Sequence, residues 1–279
     1  IIHHGVRTVQ GGAVRLNNTP EQWDLVPRMT DRKVNRENGS IEVAMRYEKE
    51  ALGGADAGFA EDFDSRVIVT AKGKAVEIAV YLDKPVPDKL AGEAGLNIEF
   101  LPSQYWLKTF TMDGRLGRLP RYATSQTITR PNSEKPRQFK GFKTYDDRGT
   151  DRFIDPLPIE TGHSIVMATD DPSRMVKITS DVELKLFDGR MLAQNGWFVL
   201  RSVLPKGKTG KVITWTVEPN AVPGWIREPN IGFSQIGYTP EQPKVAVIEL
   251  DKLDTPQTTA KLMRINPDGS TTQAFEGAV

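Results

Sequence analysis

Apolar residues recur at every second position over short stretches along most of the chain. In one stretch the alternate positions are Ile41, Val43, Met45 and Tyr47, and the positions between them carry Glu42, Ala44, Arg46 and Glu48. A period of two places apolar side chains on one face of an extended strand, whereas an amphipathic helix needs a period of 3.6. No long stretch follows the helical period. The pattern therefore predicts an all-β protein.

Turn residues divide these stretches into predicted strands. Residues 67–71 and 76–82 flank the turn Lys72-Gly73-Lys74, which has the form of a hairpin. Later strands are predicted at residues 165–169, 175–178, 182–187, 197–204 and 211–217, whereas residues 114–158 show little periodicity and predict long loops. This many strands exceed one immunoglobulin sandwich, which has about seven, and predict a large assembly of two sheets.

A proline-rich segment separates these strands from the end of the chain. The segment from Glu218 to Pro229 contains three prolines, which cannot sustain a helix or a strand ladder. We expect a large domain over residues 1–217, a stiff linker over residues 218–229, and a second domain over residues 230–279.

The second domain begins with a distinctive hairpin. Its first strand enters a corner at Gln235-Ile236-Gly237-Tyr238, Pro240 follows, and an apolar run leaves after Pro243. This stretch resembles the opening strands of the immunoglobulin-like domain that precedes the catalytic barrel in family 9 glycoside hydrolases. Gln235, Gly237, Tyr238 and Pro240 match that family's structural motif, and Ser234 stands where the family commonly has Asn.

A second resemblance lies within the large domain. The stretch from Gly95 to Trp106, followed by Lys108-Thr109 and Met112-Asp113-Gly114, resembles an amino-terminal β-supersandwich found ahead of glycoside hydrolase barrels. That fold is shared with galactose mutarotase. The two resemblances together imply a large β-supersandwich followed by part of an immunoglobulin-like β-sandwich.

The resemblance also implies a function. The chain would be the non-catalytic amino-terminal part of a family 9-like cellulase or endoglucanase, secreted or periplasmic, from a polysaccharide-degrading bacterium. Its partners would be a catalytic barrel in the same polypeptide and a β-glucan type of polysaccharide. Catalysis in that family needs carboxylates on a helical barrel, so no catalytic residue is assigned here. The 49 residues from Ile231 to Val279 are fewer than the roughly one hundred of a full sandwich, so we expect the second domain to be incomplete.

Composition excludes several other classes of protein. The formal charge is +1, and no run of Lys and Arg is interleaved with aromatic residues, which argues against nucleic-acid binding. No window reaches the roughly 18 apolar residues of a membrane span. Cysteine is absent, so a core and not disulfides must supply stability.

Two groups of residues are candidate ligand sites. Trp106, Trp197 and Trp225 could stack on sugar rings, although packing is the more common role of such residues. Asp146, Asp147 and Asp151 supply oxygen ligands that suit calcium, but their spacing differs from an EF-hand and nearby arginines can pair with them. We otherwise expect no metal and no cofactor. The histidines His3, His4 and His163 predict neither a metal site nor a catalytic triad.

Two alternatives remain open from the sequence. One is a carbohydrate-binding module without catalysis, which would present a row of exposed aromatic side chains on one sheet face. The other is a sugar epimerase of the mutarotase type, which would need a histidine and a carboxylate on a concave sheet. His163, the one histidine away from the amino terminus, lies just before a predicted strand, so the epimerase is the weaker alternative.

Overall fold

A computed structural model describes residues 1–16, 27–48, 62–131, 144–145, 151–191 and 196–279. The chain forms two compact units, residues 1–222 and residues 223–279. Within the described ranges, no helix is long and apolar enough to cross a membrane.

Strands dominate the first unit, as the period-two pattern predicts. The strands in its first half are β1 Ile2–His3, β2 Val6–Arg7, β3 Val9–Arg15, β4 Arg28–Asn35, β5 Ser40–Tyr47, β6 Phe63–Lys72, β7 Ala75–Leu82, β8 Gly95–Phe100, β9 Thr109–Met112 and β10 Arg115–Arg118. The strands in its second half are β11 Thr127–Pro131, β12 Thr144–Tyr145, β13 Asp151–Pro156, β14 Glu160–Met167, β15 Val176–Asp188, β16 Phe198–Val203 and β17 Gly210–Pro219. The described helical turns are α1 Pro102–Tyr105 and two 3-10 turns at Asp88–Leu90 and Gly189–Met191. The all-β prediction is confirmed.

Most of these strands belong to one large antiparallel sheet. Its main path runs β10-β9-β14-β15-β17-β7-β6-β5-β4, and a branch leaves β15 through β16 and β8 to β3. The predicted hairpin around Gly73 is confirmed, since β6 pairs with β7 from Arg66 opposite Tyr81 to Lys72 opposite Ala75. We call the main path the first layer and the branch β15-β16-β8-β3 the second layer.

Strand β15 belongs to both layers. Its residues 176–180 pair with β17, whereas its residues 185–188 pair with β16. The register against β14 shifts between Gly162 and Ser164, where residues 180–183 of β15 have no partner on β14. Such a bulge bends a strand and increases its twist. The sheet therefore folds over at this point and its two layers enclose one core.

The core fills the space between the layers. Ile165, Ile178 and Ile213 come from the first layer, and Leu96 and Leu200 from the second, all fully buried. Hydrogen bonds also join the layers: Trp215 Nε1 donates to Ser202 Oγ at 2.9 Å, and the Tyr47 hydroxyl donates to the carbonyl oxygen of Val14 at 2.8 Å. The layers are joined by polar contacts as well as by apolar packing.

The turn between β9 and β10 carries the Met112-Asp113-Gly114 motif. The Asp113 carboxylate accepts hydrogen bonds from the backbone N–H groups of His163 and Ser164, at 3.0 Å and 2.8 Å. These bonds lower the pKa of Asp113 below its usual value. The motif therefore fastens this turn to the bulge in β14.

The stretch from 114 to 158 is more regular than predicted. In place of long loops throughout, it contains β10 and a small antiparallel sheet of order β11-β13-β12. These strands have weak alternation, and a period-two pattern identifies only strands that have one apolar face.

The second unit consists of two hairpins in the described residues. Strand β18 Asn230–Phe233 pairs with β19 Ala246–Glu249, and β20 Thr259–Ile265 pairs with β21 Thr271–Ala278. The hairpin predicted at residues 231–250 is confirmed. Side chains on both of its strands are exposed.

Candidate functional site

A wide groove lies at one end of β4, β5, β6 and β7. Residues from these strand ends and residues 83–88 line it, and its volume is about 1110 Å³. Ligand pockets commonly occupy about 300–1,000 Å³, so the groove is large enough for a chain of several small rings. We call it the strand-end groove.

One wall of the groove is a planar ion pair between neighbouring strands. Arg46 of β5 and Asp64 of β6 lie directly opposite each other in the ladder. The guanidinium donates through Nε at 2.8 Å and through Nη2 at 2.9 Å, one bond to each carboxylate oxygen. Hydrogen bonding to Arg46 lowers the pKa of Asp64. The ladder and the two bonds together fix both side chains in place.

A second arginine extends this wall. Arg66 of β6 lies opposite Tyr81 of β7, and its guanidinium carbon is 5.6 Å from the centre of the tyrosine ring. The same guanidinium contacts Asp83 at 2.7 Å and Glu42 at 3.4 Å. Its hydrogen bond to Asp83 raises the pKa of Arg66. Arg66 is therefore held by an aromatic face and two carboxylates.

The lining of the groove is close to electrically balanced. The carboxylates of Asp62, Asp64, Asp83 and Asp88 oppose the cations Arg46, Arg66 and Lys84. The buried part of the lining includes Phe63, Val86 and Ser65, whose hydroxyl has no hydrogen-bond partner within the described ranges. The groove therefore offers donors and acceptors in similar numbers.

A second polar cluster lies on the outer face of the second layer. Arg201 Nη1 donates to Asn97 Oδ1 at 2.8 Å, and these two residues are cross-strand neighbours. Beside them, Glu99 contacts Arg15 at 3.5 Å and Gln10 at 3.4 Å. Asn97, Glu99 and Arg201 are all buried. Buried charges need such partners, so a structural role accounts for this cluster.

The four motif residues of the second unit surround a tyrosine corner. The Tyr238 hydroxyl accepts the backbone N–H of Ser234 at 3.1 Å and donates to the carbonyl oxygen of Val245. Gly237 has φ +86°, a conformation that favours glycine, and its carbonyl oxygen accepts the Ser234 hydroxyl. Gln235 precedes this corner and Pro240 follows it. The bonds of Ser234, Gly237 and Tyr238 therefore brace the β18–β19 connection.

The candidate tryptophans lie on separate elements. Trp106 follows α1 and is 44% exposed, whereas Trp197 precedes β16 and is half-buried. Trp225 is half-buried in the second unit. The sugar-stacking role of these residues remains a prediction.

The calcium candidates cannot be placed. Asp146 and Asp147 lie outside the described residues, and so does the side chain of Asp151, although its backbone begins β13. Elsewhere in the described ranges, no group of three or more His, Asp or Glu side chains could hold a metal ion.

The histidines have structural contacts. His3 Nε2 lies 2.7 Å from the carbonyl oxygen of Asn220, and His4 Nε2 accepts the Val222 N–H at 3.0 Å. Burial lowers the pKa of His3. The His163 ring lies on the surface, with Nδ1 at 3.4 Å from the Ser180 carbonyl oxygen. The contacts of His3 and His4 fasten the start of the chain to the end of the first unit.

Sequence reasoning missed the strand-end groove. Arg46, Asp64 and Arg66 occupy alternate positions of β5 and β6 that face away from the core, where charges usually mark only a solvated strand face. The cross-strand register could have pointed to these residues. It places Arg46 opposite Asp64 and Arg66 opposite Tyr81. That register depends on hairpin geometry and not on composition.

Comparisons with known proteins give two distant structural neighbours. No family model matches the chain, and no curated protein matches it. The Slr1438 protein from Synechocystis sp. PCC 6803 is 9% identical with a TM-score of 0.31, over 70% of this chain and 67% of that chain. Heparinase III is 9% identical with a TM-score of 0.26, over 98% of this chain and 29% of that chain.

Proposed function

We propose that the chain is the non-catalytic amino-terminal part of a polysaccharide-degrading enzyme of the family 9 glycoside hydrolase type. Its role would be to pack on a helical catalytic barrel in the same polypeptide and to stabilise it. The enzyme would be a secreted or periplasmic cellulase or endoglucanase that acts on a β-glucan. The tyrosine corner carries this proposal, because two of the matched motif residues, Gly237 and Tyr238, are hydrogen-bonded to Ser234, and the Tyr238 hydroxyl also donates to the Val245 carbonyl oxygen.

The exposed apolar side chains of the second unit support a packing role. Phe233 is 61% exposed on β18, and Phe275 is 64% exposed on β21. On the first hairpin Ile231 and Ile248 are exposed on the same face as Phe233, and on the second hairpin Leu262 is exposed directly opposite Phe275. Covering such side chains with another surface lowers the free energy by about 25 cal/mol per Å² of apolar area that is buried. We propose that further parts of the same polypeptide supply that cover.

An assay of hydrolysis tests whether the chain is non-catalytic. The purified 279-residue chain is incubated with carboxymethyl cellulose and with mixed-linkage β-glucan, and reducing ends are counted. We expect no release above a buffer control, and hydrolysis by this chain would overturn the non-catalytic role. The intact mass of the protein from its natural source should exceed that of these 279 residues, and that protein should release reducing ends.

The supporting role has its own test in the source enzyme. Tyr238→Phe removes the hydroxyl that joins Ser234 to Val245, so we expect a lower inactivation temperature with an unchanged initial rate. Tyr122→Phe is a matched control, because Tyr122 is 71% exposed in the first unit. Equal inactivation temperatures for the two variants would count against the supporting role.

A further inference from the structure

We propose that the strand-end groove binds a neutral oligosaccharide. The choice of a glycan rests on the proposed role in polysaccharide degradation. The choice of this groove rests on its shape, its charges and the rigidity of its polar side chains. Nothing in the sequence motifs pointed to these residues.

The polar groups in the groove are held in place before any ligand arrives. Arg46 is fixed by two parallel bonds to Asp64, and both residues sit on paired strands. Arg66 is fixed between Asp83 and the ring of Tyr81. Because little side-chain freedom remains to be lost, binding to these groups has a small entropic cost.

The charge balance selects among ligand classes. A phosphate or sulfate ligand would approach the carboxylates of Asp62, Asp64 and Asp83, which repel it. A cationic ligand would approach Arg46 and Arg66. A sugar hydroxyl can accept from a guanidinium N–H and donate to a carboxylate oxygen at the same time. A neutral polyhydroxylated ligand therefore fits both kinds of group along the wall.

In the groove, the ring of Tyr81 supplies an apolar surface and the guanidinium of Arg66 beside it supplies a polar one. Sugar rings present C–H groups on their faces and hydroxyl groups on their edges, and aromatic side chains with a polar tip suit such amphipathic surfaces. The guanidinium of Arg66 has N–H groups beyond those used by Asp83 and Glu42. We expect Arg66 and Tyr81 to contribute most of the affinity.

Affinity electrophoresis and calorimetry test the groove directly. The full chain is run in gels that contain mixed-linkage β-glucan, and cellohexaose is titrated in solution. The variants Arg66→Lys and Tyr81→Ala remove the planar fork and the aromatic ring. We expect each to weaken binding about tenfold, the effect of losing one good contact. Polygalacturonate serves as an anionic probe and should not bind.

Matched controls keep the outcome clear. Arg115→Lys changes an arginine that contacts Glu160 at 3.1 Å on β10, at the opposite edge of the sheet. Tyr122→Ala removes an exposed ring away from β7. Both should bind as the unaltered chain does, and thermal unfolding should show that all four variants fold.

Each result bears on a separate claim. Unchanged binding by folded Arg66→Lys and Tyr81→Ala variants would overturn the groove as the site. Absence of binding to cellohexaose and to mixed-linkage β-glucan would also overturn it, and tighter binding of polygalacturonate would overturn the neutral ligand class. The non-catalytic role would fail by a different measurement, since it requires that the chain alone release no reducing ends.

Discussion

Single carboxylates in this molecule stabilise contacts between segments that are far apart in the sequence, and the residues next to them do not indicate these contacts. Asp113 has a left-handed backbone with φ 47°, which Asp and Asn tolerate better than most residues. Its carboxylate then reaches two backbone N–H groups some fifty positions further along the chain. The sequence places Asp113 in a turn, but it gives no indication of this distant partner.

Asp113→Asn tests this carboxylate through the dependence of stability on pH. Asn keeps the left-handed turn but places an amide where an oxygen accepted the His163 N–H. The pKa of Asp113 is lower in the folded state, so its contribution is present above the unfolded pKa of about 4 and is lost as pH falls through the folded pKa. We expect a lower melting temperature at pH 7 and a smaller difference at pH 3.

A surface carboxylate provides the control for this measurement. Asp88 pairs with Lys206 at 3.1 Å, and both side chains are exposed. Exposed pairs contribute roughly 0–1 kcal/mol, so Asp88→Asn should change the melting temperature little at either pH. Equal changes in melting temperature for Asp88→Asn and Asp113→Asn would show that the Asp113 hydrogen bonds stabilise the fold no more than an exposed ion pair does.

Replacing Arg190 should destabilise the protein more than replacing Asp88, because the carboxylate that pairs with Arg190 is buried. Asp188 has no exposed side-chain surface and accepts from Arg190 Nε and Nη2, both at 2.9 Å. The same guanidinium donates to the carbonyl oxygens of Pro120 and Arg121. Arg190→Met removes the countercharge and leaves the buried carboxylate with the backbone N–H of residue 190, and breaking a buried ion pair typically costs about 3–5 kcal/mol. Urea denaturation measures the loss, and less than about 1 kcal/mol would contradict this account.

At the scale of secondary-structure elements, the bulge between β14 and β15 determines how the sheet is divided. The period-two pattern predicted most strands within a few residues, because each has one apolar face. It predicted two separate strands at 175–178 and 182–187, whereas β15 runs through Val176–Asp188 without interruption. Residues 179–181 are the three polar residues Thr, Ser and Asp, which interrupt the apolar positions on either side, so local pattern alone could not join the two halves.

Gly162→Ala tests the packing at this bulge. A Cβ atom at residue 162 would lie 2.3 Å from Asp113 Oδ2 and 2.8 Å from Met112 Cγ. Relief of such contacts typically costs about 1–3 kcal/mol. Gly196→Ala is the matched control, because a Cβ atom there meets nothing within 4 Å. We expect urea denaturation to show a loss of stability for Gly162→Ala and almost none for Gly196→Ala.

At the scale of the whole molecule, the two units differ in how they are stabilised. Every residue of the main core cluster lies between Val9 and Val217. The strands of the second unit expose nearly all of their side chains. The proline-rich segment favoured a division in this part of the sequence. The number of strands and their order could not be predicted, because the branch at β15 is a long-range property.

A truncation tests whether the first unit is stable without the second. A chain of residues 1–222 retains the complete core cluster, so we expect its main calorimetric transition within a few degrees of that of the full chain. A fall of more than about 10 °C, beyond the 2–4 °C that 1 kcal/mol produces in a domain of this size, would show that the second unit contributes substantially to that core.

The strand shared by both layers has a consequence for how the molecule opens. Residues 176–179 lie between two neighbouring strands in the ladder, and residues 185–188 of the same strand continue into the other layer. Neither layer can separate without breaking hydrogen bonds along β15. Amide protons of this strand should therefore exchange with solvent only when the whole first unit opens, and the two layers should lose their protection together.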